Sequence, residues 1–580
     1  MIEENRSAIV LICIIGLLFL AGCGSGIKEE APYEEAIVVD VFDSVANYEG
    51  MQSGWFGKIV KDKFNMELNI IAPNVAGGGN TLFAIRSAAG NLGDLIICNG
   101  EDDNLQKLVN SGLVLNMEPY LEDKDIMRFE SAIRDINSNL APEGIYAIPS
   151  EVSENSPMTP SESLELTYGP YLRWDLYKQL GYPEIRTLED LLPVLKRMQE
   201  LEPRTEDGDK TYAFSFFKDW DGNLMNAAKQ PCCFYGWDEL GFLLLKADSD
   251  EYKSIIDPDS MYVRVLKWYF NANQMGLVDP QSLTQSYNDV AHKYEKGQVL
   301  YSPWPWVAQV EYNTLDRRQQ GKGFMIVDIK DMNIYSYGCN QSGTRKNVVL
   351  VGSQAKDPER LVDFINWMYS SDGISSIGPQ SSAGTAGPEG LCWEYDEEGK
   401  PYLTEFGKKA LFGSEAEVPK EWGGGTWREG ISVLNFMPVA PCELDEKGNP
   451  YAYQLWDSVQ GMGETALEKD WKEIMQANNT RDFLLKNDKM VVSPGCNFTA
   501  TINSEIETLR GQCRNVIRKY SWEMIFAEDE DEFYQLLSKM QDEAFSLGYE
   551  KVLEVDMNDA IEFQKARIKS VEEYENDREQ

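Results

Sequence analysis

The sequence predicts an α/β protein with at least two lobes, for three reasons. Short apolar runs alternate with amphipathic helical patterns through most of the chain, an order typical of α/β folds. A polar, proline-containing stretch at 153–163, SENSPMTPSES, separates a first unit of strands and helices from the rest of the chain. The chain has 580 residues, which is enough for two or more lobes with large cores.

The first unit covers residues 36–150 and has a β-α-β-α-β order. Short apolar runs predict its strands, and longer amphipathic patterns that end near glycine predict its helices. The predicted elements are a strand at 36–42 (AIVVDVF), a helix at 54–64, a strand at 67–71 (ELNII), a helix at 80–90 closed by Gly90, a strand at 94–98 (DLIIC) and a helix that ends near Gly112.

Three later helices carry start or stop signals. Thr187 and Asp190 have the spacing of a capping box at the start of one helix. Pro358 occupies the first position of a second helix, where its missing N–H costs nothing. The third helix, at 529–548, places acidic residues at its positive end and stops at Gly548.

The N-terminal residues predict export and lipid attachment. Residues 8–20 form an apolar run that is too short to span a bilayer but suits the h-region of a signal peptide. LAGC at 20–23 resembles the lipobox of bacterial lipoproteins, which implies a signal peptide at 1–22 and a diacylglyceryl group on the sulfur of Cys23. The GSG after Cys23 predicts a flexible tether over 23–35. We therefore expect the protein on the extracellular face of the cell membrane, held by its lipid anchor only.

Charge and the rare residue types exclude several function classes. The chain has a formal net charge of −41 and a single histidine, His292. The acidity argues against nucleic acid or an anionic membrane surface as a partner, because both require clustered Lys and Arg. One histidine excludes a multi-histidine metal site, and the polar sequence around it predicts a surface helix. We expect no cofactor and no metal.

The cysteines and the glycines exclude further sites. The eight cysteines after Cys23 contain no CxxC pair, so a zinc ribbon and a thioredoxin-like site both lack their signature. Their pairing stays open, since some can bridge outside the cell and others can be small buried hydrophobes. The triple glycine at 77–79 is not followed by GK[ST], which argues against a phosphate-binding loop.

Six stretches carry a family resemblance. They are AAGNLGDLII, YGPYLRWDLYKQLGYPEIRTLEDLLPVLKRM, YEKGQVLYSPWPWV, NVVLVGSQAKDPERLVDFINWMYSSDG, GPEGLCWEYDEEGKPYLTEFG and WEMIFAEDEDEFYQLLSKM. In this order they resemble the extracellular solute-binding proteins of family 1, the lipid-anchored receptors of ABC sugar importers, and in particular their long Firmicute-type oligosaccharide branch. The resemblance implies a two-lobe periplasmic-binding-protein-like fold of type II, with a multi-crossing hinge and a ligand cleft between the lobes.

The resemblance also implies a division of the chain and a function. Lobe one takes residues 36–165 and about 345–378, lobe two takes about 166–340 and 379–495, and C-terminal helices at 496–570 brace the hinge. The protein is expected to be a monomer without enzymatic activity. It is expected to bind an oligosaccharide and to deliver it to the transmembrane permease subunits of an ABC transporter.

The segment SPWPW at 302–306 supplies the first candidate ligand residues. Proline on both sides of Trp304 suits a strand end or a loop better than a helix interior. In the family the matching loop faces the cleft, which implies a ligand contact for Trp304, Trp306 or both. An indole covers the apolar face of a sugar ring, while carboxylates, amides and arginine bond its hydroxyl rim.

Further aromatic and polar residues in predicted loops complete the candidate ligand site. They are Trp55, Asn99, Glu101, Asp219, Trp220, Trp237, Trp422 and Trp427. Trp268, Trp367 and Trp456 lie in helical patterns instead and are expected in the core.

Two other functions stay open at this point. The same fold can bind a peptide, a polyol or an acidic sugar, and Arg173, Arg345 and Arg428 are the candidates to meet an acid by bidentate bonds. A lipid-anchored glycoside hydrolase needs only two carboxylates at a set separation, which a chain this acidic does not exclude. The collinear receptor pattern favours the binding protein over the hydrolase.

Overall fold

The structure is a computed structural model that describes residues 33–73, 79–101, 104–380, 384–413, 416–501 and 503–579. The predicted signal peptide, Cys23, most of the predicted tether, and Gly77 and Gly78 lie outside these residues. Within the described ranges, no helix combines the length and the apolar character that crossing a membrane requires.

Strands and short helices alternate along most of the chain, and longer helices form its C-terminal end. The strands are β1 (Ile37–Asp43), β2 (Gly50–Met51), β3 (Met66–Ile71), β4 (Leu95–Cys98), β5 (Ile148–Ser150), β6 (Tyr171–Arg173), β7 (Trp237–Leu240), β8 (Leu243–Lys246), β9 (Tyr252–Ser254), β10 (Tyr301–Ser302), β11 (Phe324–Ile326), β12 (Ile334–Tyr337), β13 (Thr344–Val351), β14 (Trp393–Tyr395), β15 (Pro401–Leu403) and β16 (Met490–Ser493). The helices are α1 (Gly54–Phe64), α2 (Gly79–Ala88), α3 (Asn104–Asn110), α4 (Glu118–Leu121), α5 (Glu130–Asn137), α6 (Trp174–Gln179), α7 (Leu191–Leu201), α8 (Asn226–Lys229), α9 (Met261–Gln274), α10 (Tyr287–Glu295), α11 (Pro305–Tyr312), α12 (Leu315–Gln319), α13 (Pro358–Met368), α14 (Ser371–Ile377), α15 (Glu405–Phe412), α16 (Ala466–Met475), α17 (Thr480–Lys486), α18 (Ser504–Ile525), α19 (Glu530–Ser546) and α20 (Tyr549–Glu579).

The predicted helix signals are present as side-chain caps. Thr187 Oγ1 accepts from the Asp190 N–H at 3.3 Å, and Asp190 Oδ2 accepts from the Thr187 N–H at 3.1 Å, so the capping box precedes α7 as predicted. Pro358 is the first residue of α13. The side chain of Asp529 accepts from the Glu532 N–H at the start of α19. These local contacts explain why the helix starts could be predicted from sequence.

A six-stranded mixed sheet forms the frame of lobe one. Its strand order is β2-β3-β1-β4-β13-β5. Strand β1 is parallel to β3 and β4, and α1 and α2 provide the crossover helices that parallel strands require. Strand β13 runs antiparallel to β4 and β5 and comes from much later in the chain. Lobe one is therefore completed only after the chain has built most of lobe two.

The core of lobe one differs from the predicted division of the chain. Trp393, Trp427 and Trp456 pack in one hydrophobic cluster with residues of β1, α1 and α13. The chain therefore stays in lobe one until about residue 460, which corrects the assignment of 379–495 to lobe two. Tertiary contacts such as the stack of Trp427 on Trp55 hold residues 379 to about 460 in lobe one. No local sequence pattern predicts such contacts.

A second hydrophobic core holds lobe two together. Three small sheets, β10-β6-β11, β7-β8-β9 and β12-β16, contribute to it with α6, α7 and α9. Helices α18 and α19 bury their apolar faces in this same core. From α20, Arg567 donates to Lys246 O at 2.8 Å and to Tyr335 Oη at 3.4 Å. The C-terminal helices thus pack mainly on lobe two, and α20 reaches the edge of the hinge at β12.

The hinge consists of chain segments that run between the two cores. In the described part of the chain, the crossings are at 153–163, 338–343 and about 459–466. The first two lie side by side, because the Ser161 N–H donates to Tyr337 O and the Cys339 N–H donates to Thr159 O, both at 2.8 Å. Such short crossings are the usual site of hinge rotation between two lobes.

Candidate functional site

A polar cleft lies at the hinge between the lobes. Its volume is about 600 Å³. Lobe one contributes Glu101, Arg345 and Lys346 to its walls, and lobe two contributes Tyr168, Asp238, Glu239, Tyr335 and Tyr337. Because residues of both lobes line it, rotation about the hinge changes its shape.

A larger cavity, of about 770 Å³, lies elsewhere. Its lining consists of Lys218, Asp221 and Leu283 with residues of α18 and α19, all on the lobe-two side. Hinge rotation does not bring new walls to such a cavity. The cleft is therefore the better candidate for a ligand site, although it is the smaller of the two.

A chain of hydrogen bonds orders the lobe-two wall of the cleft. The hydroxyls of Tyr168 and Tyr337 lie 3.1 Å apart, and the Tyr337 hydroxyl donates to Asp238 Oδ2 at 2.7 Å. Lys229 Nζ lies 2.5 Å from Asp238 Oδ1. Burial opposes the charge of Asp238, but the Lys229 ammonium and the hydrogen bonds outweigh burial and lower the pKa of Asp238.

The neighbouring carboxyl, Glu239, behaves in the opposite way. Burial raises the pKa of Glu239, and the Asn223 amide donates to its Oε1 at 3.3 Å. The cleft wall thus holds an ionised carboxylate beside a carboxyl that is more easily protonated. The oxygens of both groups offer acceptors to a ligand with hydroxyl groups.

Several buried polar atoms at the cleft have no partner among the described residues. They are Glu162 Oε1, Arg345 Nε and Arg567 Nε. The other oxygen of Glu162 accepts from Ser336 Oγ at 2.6 Å, and burial raises the pKa of this carboxyl. An unpaired buried polar group is costly, so these atoms are positions where ordered water or ligand hydroxyls would be stabilising.

Aromatic side chains gather on lobe two. Phe217, Trp220, Tyr287, Trp304 and Trp306 form a contiguous group, which we call the lobe-two aromatic cluster. Trp220 stacks on Tyr287 with centroids 4.6 Å apart, and its centroid lies 5.5 Å from that of Trp306. Trp220 and Trp306 are 38% and 45% exposed, whereas Trp304 is 7% exposed. The cluster therefore presents two indoles to solvent over an aromatic base.

The sequence SPWPW explains why its two tryptophans diverge. Strand β10 ends at Ser302, whose hydroxyl accepts from the Trp304 N–H at 3.2 Å. Pro305 then occupies the first position of α11, so Trp304 caps the helix and Trp306 lies in its first turn. The change from strand to helix sends Trp304 into the core and leaves Trp306 exposed. The predicted strand-end position of the prolines agrees with this geometry.

Two hydrogen bonds link chain segments next to the aromatic cluster with residues at the cleft wall. Tyr168 lines the cleft, and the next residue, Gly169, donates its N–H to Pro303 O at 3.0 Å. On the other side, the Asn223 amide bonds the cleft carboxyl of Glu239. The segments that carry the cluster thus adjoin the lobe-two wall, although none of the five cluster residues lines the cleft itself.

The other predicted ligand residues on lobe two lie near these features. Asp219 is exposed, and its Oδ2 accepts from the Tyr287 N–H at 2.7 Å, which holds Tyr287 against Trp220. Trp237 is half-buried on β7 next to Asp238, with Lys246 Nζ 4.9 Å from its ring centroid. The structure therefore brings Asp219, Trp220, Trp304 and Trp306 together and places Trp237 beside the cleft wall.

The predicted residues on lobe one divide into two groups. Glu101 lines the cleft, and exposed Asn99 accepts from the Glu101 N–H through its Oδ1 at 2.6 Å, where the chain leaves β4. Trp55 and Trp427 are instead buried, and Trp422 is half-buried against the same core. A tryptophan without exposed surface cannot cover a sugar, so the expectation of a ligand contact is corrected for Trp55 and Trp427.

The remaining predictions concern core, surface and arginine residues. Trp268, Trp367 and Trp456 are buried, as predicted. His292 is exposed on α10 beside Glu295, in agreement with the predicted surface helix. Arg173 is fully buried in bonds to Asp175 and Glu202 and is not available to a ligand. Arg428 is exposed, and only Arg345 of the three candidate arginines lines the cleft.

Several cleft residues were not found by sequence reasoning. Tyr168, Asp238, Glu239 and Tyr337 come from three separate segments that meet only at the hinge. The one available signal was position, because Asp238 follows the candidate Trp237 directly and Tyr168 lies at the start of lobe two. Their hydrogen bonds depend on tertiary structure and leave no spacing in the sequence.

Comparisons with solved structures identify the class of fold. The alginate-binding protein AlgQ2 superposes with a TM-score of 0.58 and 15% identity over 92% of this chain and 99% of the other. The ABC-transporter substrate-binding protein FusA of S. pneumoniae, in complex with kestose, gives 0.56 and 15% over 92% and 100%. An HMO-binding, ABC-transporter-associated solute-binding protein from Bifidobacterium longum infantis gives 0.55 and 12% over 91% and 99%.

At these identities the likeness establishes the fold and not the ligand. The predicted α/β two-lobe fold of the periplasmic-binding-protein type is confirmed. The resemblance to extracellular solute-binding proteins is confirmed at the same level. The sequence matches no protein-family model, and no curated relative matches it.

Proposed function

We propose that this protein is a carbohydrate-binding receptor that captures an oligosaccharide outside the cell and delivers it to an ABC-transporter permease. The observation that carries the proposal is the polar cleft between two lobes, together with two exposed indoles on lobe-two segments that adjoin its wall. The superposable proteins are an alginate-binding protein, a substrate-binding protein in complex with kestose and an HMO-binding protein. The receptor acts as a monomer, without catalysis and without a cofactor.

Ligand capture follows from the two surfaces. The exposed faces of Trp220 and Trp306 cover the apolar side of sugar rings, while the cleft supplies donors and acceptors for hydroxyl groups. A ligand that bonds both lobes favours the closed state by its differential affinity for that state. Specificity arises because a missing hydroxyl leaves a buried polar group unpaired.

An uncharged saccharide fits the cleft better than an acidic one. In the described part of the chain, the acidic residues that line it are Glu101, Glu151, Glu162, Asp238 and Glu239, and the basic residues are Arg345, Lys346 and Arg567. Arg173, a candidate for binding an acidic sugar, is buried and forms ion pairs with Asp175 and Glu202 instead. The site therefore lacks a preformed surplus of positive charge.

The attachment to the membrane is part of the proposal. Cys23 carries the lipid, and the receptor stays on the extracellular face of the cell membrane by this anchor. Replacing Cys23 with serine should release the protein into the medium and abolish incorporation of a labelled fatty acid. Retention of the Cys23→Ser protein on cells would contradict the anchor.

The test of the binding function is a titration of the purified protein with neutral and acidic oligosaccharides and with short peptides. Calorimetry and tryptophan fluorescence should show saturable binding of a neutral oligosaccharide with a Kd of about 1 μM, which corresponds to a binding free energy of about −8 kcal/mol. Exclusive binding of alginate oligomers or peptides would move the proposal to another ligand class. Recovery of shortened glycan after overnight incubation would point to the hydrolase instead.

A further inference from the structure

Two cysteines meet at the hinge. Cys339 belongs to the crossing at 338–343, and Cys442 lies in the segment of lobe one that comes after Val439. Their Sγ atoms are 3.2 Å apart, although the residues are separated by 103 positions in sequence. Cys339 is fully buried, and Cys442 is half-buried.

The backbone around the pair is fixed from both sides. The Cys339 N–H donates to Thr159 O at 2.8 Å, and the Cys442 N–H donates to Ser161 O at 3.1 Å. Both cysteines are thus bonded to the first crossing. The packing is tight, since a Cβ on Gly338 would lie 1.9 Å from Pro157 O. The sulfurs are held close because their backbones have little room to separate.

We propose that Cys339 and Cys442 form a disulfide that ties the second crossing of the hinge to lobe one. The bond removes the freedom of these two segments to slide against the first crossing, and it stiffens the hinge. Nothing in the carbohydrate-binding proposal requires this link, so the two proposals stand independently. The other cysteines of the described chain take no part in it.

A shared metal ion fits this geometry less well. Two thiolates at about 2.3 Å from a tetrahedral zinc ion would be about 3.8 Å apart, which is wider than the observed 3.2 Å. The third possible ligand, Glu443, already accepts hydrogen bonds from Ser153 Oγ and from Asn155 Nδ2. A disulfide needs only a further approach of the two sulfurs by side-chain rotation.

The chemistry needs an oxidant, and a small-molecule disulfide of the glutathione class supplies it. The half-buried Cys442 sulfur attacks this disulfide as a thiolate, and one small thiol leaves. The Cys339 thiolate then attacks the Cys442 sulfur and releases the second small thiol. Two protein thiols and one small disulfide thus become one protein disulfide and two small thiols.

The first experiment compares the protein after treatment with oxidised glutathione and after reduction. Peptide mapping by mass spectrometry should find one cross-linked peptide pair, Cys339 with Cys442, and a loss of two reactive thiols. Hydrogen exchange at 153–163 and 338–343 should slow in the oxidised protein, and its unfolding midpoint should rise by roughly 5 °C. Unlinked peptides after oxidation, or one bound metal ion per chain by elemental analysis, would overturn the proposal.

Single substitutions separate the link from general oxidation. Cys442→Ser should remove the cross-link and the redox dependence of the unfolding midpoint. The matched control is Cys496→Ser, because Cys496 is also half-buried beside the hinge but has no cysteine at its side chain in the described structure. It should keep both effects. Loss of the Cys339–Cys442 peptide pair in Cys496→Ser would contradict the assigned pairing.

Discussion

Two pairs of tryptophans show how similar local positions lead to different roles. Trp55 and Trp427 stack in the lobe-one core with centroids 4.7 Å apart and rings tilted by 8°. Trp220 and Trp306 face each other on lobe two at 5.5 Å and 32°. The first pair is 0% and 5% exposed, and the second pair is 38% and 45% exposed. A stacked pair alone therefore does not mark a ligand surface.

The difference does not come from the position of the residue in its helix. Trp55 is the second residue of α1, and Trp306 is the second residue of α11. Trp55 is enclosed by the distant Gly430 and Trp427, and its Nε1 donates to Trp427 O at 3.0 Å. Trp306 has no such cover from a distant segment, as its exposure shows. What encloses an indole decides whether it stabilises the fold or remains available to a ligand.

The largest expected effect is that of Trp55→Ala, which tests whether the buried pair of tryptophans stabilises the fold. A buried tryptophan truncated to alanine leaves a cavity and removes the hydrogen bond from its Nε1 to Trp427 O, and such changes cost about 3–5 kcal/mol. Urea denaturation should report this loss of unfolding free energy. Glycan affinity of the folded fraction should stay within twofold of wild type. If the Trp55→Ala protein kept its stability but lost glycan binding, Trp55 would belong to the ligand site after all.

A second prediction concerns Asp43, which bonds the chain segment that carries Trp427. Asp43 accepts from the Asn435 N–H at 3.2 Å and from the Val45 N–H at 3.1 Å, and burial raises the pKa of Asp43 to about 6. The folded protein therefore binds this proton more tightly than the unfolded chain, whose aspartate pKa is about 3.9. Stability contributed by this group is present near pH 4 and is lost as pH rises through 6.

The size of this effect is about 2–3 kcal/mol, from a shift of about two pKa units. The measurement is the unfolding free energy of wild type and Asp43→Asn at several pH values. The difference between the two should move in favour of Asp43→Asn between pH 4 and pH 7, because asparagine does not ionise. A difference that is constant over this range would contradict the raised pKa of Asp43.

Gly430→Ala tests how tightly the buried pair is enclosed. A Cβ at this position would lie 2.2 Å from Trp55 Cδ1, so the ring or the backbone must shift. Overpacking of this kind costs about 1–3 kcal/mol. Gly511→Ala is the matched control, since Gly511 lies within α18 near only the flexible Arg514 side chain and should gain roughly 0.5–1 kcal/mol. Equal effects of the two substitutions on the unfolding midpoint would contradict the tight packing around the buried tryptophan pair.

Sequence reasoning recovered the elements whose causes are local. Caps, periodicity and prolines predicted β1, α1, α7 and α13, and the resemblance predicted the two-lobe arrangement. The continuation of lobe one beyond residue 379 was missed, because it depends on contacts such as Trp427 with Trp55.

The candidate site shows the same limit. The aromatic members on lobe two could be found because SPWPW and the KDWDG stretch bring indoles into loops. Tyr168, Asp238 and Tyr337 could not, since their hydrogen bonds join segments that meet only at the hinge. Trp55 and Trp306 have the same residue type and the same helix position, so burial by a distant segment was the missing information.

Trp306→Ala tests whether the exposed pair of tryptophans binds the ligand. Removing an exposed indole leaves no cavity in the core, so the unfolding free energy should change by less than about 0.5 kcal/mol. Affinity for the bound oligosaccharide should fall about 10- to 30-fold, because a stacked aromatic anchor contributes about 1.4–2 kcal/mol to binding. Calorimetric titration and urea denaturation of the same preparation separate the two quantities.

The matched control is Tyr534→Ala, which removes another exposed aromatic ring from lobe two. Tyr534 lies on α19 and is 51% exposed, and its ring packs on Phe533, outside the lobe-two aromatic cluster. Its loss should leave affinity within twofold of wild type. If both substitutions weakened binding equally, the exposed indoles would have no special role. If Trp306→Ala instead lost several kcal/mol of stability, the contrast between the two tryptophan pairs would fail, because both would then support the fold.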